Sequence, residues 1–92
     1  MVPEADNGPM NATANISIRP AYPDDYSALW QLSALDDRAL PRGPFLLAEL
    51  DRDVVAAISI PTGATIADPF RRTAEATALL QLRARQLVAV AA

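Results

Sequence analysis

The chain has 92 residues, 51% of them hydrophobic, a net charge of −3, and neither cysteine nor histidine. That length allows one domain with a thin stability margin, and the missing residue types exclude disulfides, thiolate metal sites and histidine general bases. All eight basic residues are arginine in an acidic chain, which speaks against a nucleic-acid partner, since such partners need a concentrated basic surface.

Residues 1–15 hold two prolines, one glycine and three asparagines with no apolar period, the pattern of a disordered tail. The domain is expected over residues 16–92. No apolar run reaches the roughly 18–20 residues of a membrane span, and no charged segment precedes an apolar one at the N-terminus. The expectation is a cytoplasmic protein with no membrane partner. The glycosylation sequons at Asn11 and Asn15 are then chance matches.

Ile16–Ala21 alternates apolar and polar residues and predicts a short strand, with Pro20 marking an edge or exit. Pro23-Asp24-Asp25 opens a first helix, with carboxylates in the turn where the helix dipole favours them. Its apolar stripe is Ala28, Leu29, Leu32 and Leu35. Tyr26 and Trp30 form an adjoining i,i+4 pair, read as core packing on the sheet or, with less weight, as a ligand-stacking pair. Asp36–Gly43 and the following Pro44 read as a loop.

Phe45–Leu50 and Val54–Ile60 are near-continuous apolar runs, the pattern of strands buried on both faces. Asp51-Arg52-Asp53 joins them as a tight hairpin, and Pro61-Thr62-Gly63 turns into a strand at Ala64–Ala67. Asp68 then fits a helix N-cap and Pro69 the first helical position, predicting a long helix to Val88. On it Thr73, Ala76, Thr77, Leu80, Ala84 and Leu87 share the face expected to lie on the sheet. Leu79 and Leu82 point away, either into a dimer contact or under a cover from the tail or the first helix. The order strand, helix, three-strand meander, helix is an α+β fold: a mostly antiparallel sheet of about four strands with two helices.

Few residues offer chemistry. Arg71 and Arg72 fall in the expected first turn of the last helix, against its dipole. They either help the helix N-terminus hold an anion or pair with Asp68 or Glu75 in solvent. Asp36-Asp37 and Asp51-x-Asp53 read as solvated turns, because hard cations need more oxygen ligands than either cluster offers. No metal site is expected.

The opening, Ile16-Ser17-Ile18-Arg19-Pro20-Ala21 followed by Pro23-Asp24-Asp25 and a Leu-spaced helix, resembles that of the GNAT acetyltransferase superfamily, which reads I-R-x-A and then P-x-D. The run FLLAELDRDVVAAISI is similar to the family's second and third strands. Ala64–Leu80 resembles its fourth strand and acetyl-CoA pyrophosphate loop, P-x-x-R-G-x-G-x-G/A-x-x-L. Pro69, Arg72 and Leu80 match that loop, while Thr73, Glu75 and Thr77 stand where glycines would. Those glycines matter because bare backbone N–H groups at a helix N-terminus cradle the pyrophosphate.

Family members continue with further strands that complete the cleft and usually supply a tyrosine general acid, so the resemblance implies the N-terminal half of the fold standing alone. The candidate cofactor-binding residues are Arg71, Arg72 and Thr73 at the expected helix N-terminus, of which Arg72 matches the family's loop. The leading expectation is a non-catalytic interaction or structural module without a cofactor, homodimeric through the open edge of the last strand and Leu79 and Leu82. The alternative is an acetyl-CoA-dependent N-acetyltransferase whose cleft is completed by a partner or dimer mate. A small-anion sensor using Arg71 and Arg72 ranks third.

Overall fold

The structure is a computed structural model that describes residues 16–91, with side chains to Val88; the expected tail and both sequon asparagines lie outside the described residues. The elements are β1 (Ile16–Pro20), a 3-10 turn (Pro23–Asp25), α1 (Tyr26–Leu35), β2 (Phe45–Leu50), β3 (Asp53–Ser59), β4 (Thr65–Ala67) and α2 (Ala74–Ala91). The four strands form one antiparallel sheet in chain order. The fold is α+β, as the order of elements predicts. Among the described residues no helix is long and apolar enough to cross a membrane.

The apolar runs dictate the layering. Phe45–Ala48 and Val55–Ser59 are buried without interruption, so both faces of the central hairpin need a cover. Leu29 and Leu32 of α1 close one face over Phe45, Leu47, Ala57 and Ile66. Ala76, Leu80 and Ala84 of α2 close the other over Leu46, Ala48, Ala56 and Ile58. Among the described side chains of α2, Leu80 is the one large residue that is buried, and the alanines around it let the helix lie close. The expected core stripes shorten at their ends: Leu35 is 39% and Leu87 43% exposed.

Where α1 stops is set by a backbone motif. The Arg38 N–H donates to the Ser33 C=O at 3.0 Å and the Asp37 N–H to the Ala34 C=O at 3.3 Å, the double bond of a Schellman ending. Asp37 takes the left-handed conformation (φ 54) usually given to glycine. The tight turn between β2 and β3 needs two residues with positive φ, and Asp51 (φ 53) and Arg52 (φ 74) supply them. Opposite that turn the register slips between Ala48 and Glu49, leaving Val55 as an extra residue. The Val55 C=O accepts the N–H of Asp68 at 2.9 Å, so the bulge anchors the chain as it leaves β4.

Two polar groups fasten the periphery. Arg19 grips Asp25 through two hydrogen bonds of 2.8 and 2.9 Å and reaches Glu49 at 3.1 Å, tying β1 to both the start of α1 and β2. The buried Ser59 hydroxyl donates to the Arg42 C=O at 2.6 Å and accepts the Thr62 N–H at 3.3 Å. It thereby holds the loop before β2 against the turn after β3. A Cβ at Gly43 in that loop would stand 2.9 Å from the Tyr26 hydroxyl and 3.1 Å from the Phe45 ring, so a larger residue there displaces the Tyr26 ring.

The Tyr26–Trp30 pair is not the core contact expected. Tyr26 meets Phe45 edge-on with ring centroids 6.0 Å apart, but Trp30 is 61% exposed. The buried line of α1 runs through Leu29, Leu32 and Ser33, which turns Trp30 outward.

Arg19, and the Tyr22 N–H after it, hold the Asp25 carboxyl down at about 2, below its ordinary 3.8. A depressed carboxylate contributes stability above its unfolded pKa and loses it as pH falls through the folded value. Asp25→Asn should therefore lower stability by about 1 kcal/mol at neutral pH, a figure held down because Arg19 is partly solvated. The gap between wild type and variant should close between pH 4 and about 2; denaturant unfolding at stepped pH measures it.

Candidate functional site

The junction after β4 is where a ligand was expected, and its backbone differs from the expectation. The chain does not enter a helix at Pro69. The Asp68 carboxylate accepts the Phe70 N–H at 2.8 Å, and the Asp68 C=O accepts the Arg71 N–H at 3.3 Å. This is a β-turn with proline in its second position, a place proline suits as well as it suits a helix start. Asp68 caps this turn and not α2. The helix begins at Ala74, after Thr73, whose C=O accepts the Thr77 N–H at 2.8 Å.

The three expected ligand-facing residues thus lie before the first turn of α2. Arg71 lies in the turn and points to Asp53 at 3.5 Å. Arg72 is exposed, and Thr73 is half-buried just before α2. The N–H groups of Phe70 and Arg71 are already bonded to Asp68, which removes two donors from any phosphate cradle built on this loop.

What the turn does build is one wall of a cleft. Arg71 and Asp68 face Arg52, Asp53 and Val54 of the β2–β3 turn, and α1 supplies the third wall through Gln31, Leu32 and Leu35; the cleft measures about 410 Å³. Arg52, Asp53, Gln31 and Leu35 were not expected at a site. The signal for Arg52 was present in the sequence, since a two-residue hairpin turn demands positive φ and arginine is a costly residue to put there.

The Asp36-Asp37 pair is not merely a solvated turn. The Schellman ending of α1 aims Asp36 at β4, where its carboxylate accepts the Ala67 N–H at 3.0 Å. Antiparallel alternation points that N–H toward the free edge, because Asp68 and Ala64 make the inward bonds to Val55 and Ser59. Asp36 also lies 3.5 Å from Arg38.

A second surface lies on the outer side of α2. Leu79 and Leu82 are 36% and 46% exposed. With Ile18 of β1, Arg83 and Gln86 they line a shallow groove of about 210 Å³. Among the described residues no group of three or more acidic side chains is placed to hold a metal ion.

Compared with known proteins, the chain matches no family model, no curated protein and no solved structure at a significant level.

Replacing the Asp36 carboxylate should uncover the β4 edge. Asp36→Ala is expected to cost about 1 kcal/mol and to speed hydrogen exchange at the Ala67 amide more than at the amides of β3.

Proposed function

We propose that the protein is a non-catalytic interaction module of GNAT-like fold that works as a homodimer through the outer face of α2. Three features support the likeness: the order of strands and helices, the antiparallel meander and the helices on opposite faces of the sheet. The turn at Asp68–Arg71 and the residues Thr73, Glu75 and Thr77 support the non-catalytic part.

The observation that carries the dimer is the spacing on α2. Glu75, Leu79, Leu82 and Gln86 follow one another at intervals of four, three and four, the spacing of a helix-pair seam with two leucines at its centre and polar residues at its ends. A two-fold axis between Leu79 and Leu82 sets each leucine on the other copy's leucine and each Glu75 beside a Gln86. Such a self-complementary patch is what an isologous dimer requires. The β4 edge contributes less than expected: the strand has three residues, and Asp36 holds one of its outward donors.

Sedimentation velocity from about 1 µM to about 1 mM is expected to show a monomer–dimer equilibrium. Leu79→Asp and Leu82→Asp should each abolish it with an unchanged melting temperature for the monomer. A wild-type chain that stays monomeric throughout overturns the dimer, and a rise in melting temperature with acetyl-CoA overturns the non-catalytic reading.

A further inference from the structure

The cleft between α1, the β2–β3 turn and the turn after β4 belongs to no part of the dimer surface. We propose that this cleft binds a zwitterionic α-amino acid with an apolar side chain, its carboxylate on Arg52 and its ammonium group toward Asp53 and Asp68.

Size is the first ground. At about 410 Å³ the cleft falls in the range of small-molecule sites. The distribution of chemistry is the second. Leu32, Leu35 and Val54 form an apolar wall, while Arg52, Arg71, Asp53 and Asp68 place both signs of charge around it. An anion alone would meet two carboxylates and a cation alone two guanidiniums. A ligand carrying both charges a few bonds apart satisfies each. Gln31, at the same wall, offers an amide that serves either group.

The third ground is the state of the arginines. Arg71 is engaged by Asp53, at 3.5 Å and with both side chains solvated, a pair of little energy. Among the described residues Arg52 makes no ion pair, and it occupies the left-handed region at φ 74. A non-glycine residue there costs of order 1 kcal/mol or more, and glycine in the same turn would cost nothing of the kind. The strained backbone sets a guanidinium at the rim of the cleft, where it is available for a carboxylate to grip in bidentate fashion.

The test is a titration of the full chain followed by amide chemical shifts, with L-leucine, N-acetyl-L-leucine and L-leucine amide as probes. L-leucine should give saturable shifts confined to residues 52–54, 68–71 and the facing side of α1. Blocking the amine or the carboxylate should each weaken binding at least about tenfold, as expected when one charged contact is lost. Arg52→Gly should raise the denaturation midpoint, because it relieves the turn, and weaken L-leucine by a similar factor. Since that variant stays folded, loss of binding reads on the side chain alone. Asp53→Asn should weaken L-leucine and leave N-acetyl-L-leucine unchanged. The proposal is overturned if L-leucine gives no saturable shift to about 20 mM, if N-acetyl-L-leucine binds as well as L-leucine, or if Arg52→Gly binds L-leucine as the wild type does.

Discussion

The burial of the β2–β3 hairpin on both faces is the constraint from which the architecture follows. A strand pair that reads Phe-Leu-Leu-Ala and Val-Ala-Ala-Ile-Ser has no polar side to offer water, so one helix must lie on each surface. Among the described residues there are two α-helices, and they lie on opposite faces. The small side chains of the sheet, Ala48, Ala56 and Ala57, let both helices approach closely, and Leu29 and Leu80 fill the space that remains.

Strands, hairpins and the core face of α2 were legible because each is a local pattern: a continuous apolar run, a pair of turn residues, a period of 3.6. The start of α2 was not. Asp followed by Pro fits a helix entry and a β-turn equally well, and the choice was made elsewhere, by the bulge at Val55 whose carbonyl draws in the Asp68 amide. Trp30 misled for a related reason. An aromatic near an apolar stripe looks like core, yet the direction of α1 over the sheet fixes which line of residues is buried, and that direction is a tertiary property. Asp36 was invisible as a structural residue because its partner lies 31 positions away.

The site follows the same division. The sequence reading set Arg71, Arg72 and Thr73 at the start of a helix, whereas the chain forms a β-turn through Arg71 and the helix begins only at Ala74. The residues that do converge come from three separate elements, so no linear motif records them. The spacing of Pro69, Arg72 and Leu80 is thus compatible with a turn in which Asp68 takes the N–H groups of Phe70 and Arg71.

Asp36 has a consequence beyond the bond it makes. A sheet that ends in an open strand is a template, and a second chain adding to β4 must take the Ala67 amide from a carboxylate that already holds it. An incoming backbone carbonyl is a weaker acceptor than an anion. Resistance to runaway strand addition in this fold is therefore encoded at the terminus of a helix: the sheet's terminator is a residue that no inspection of the strand itself would find.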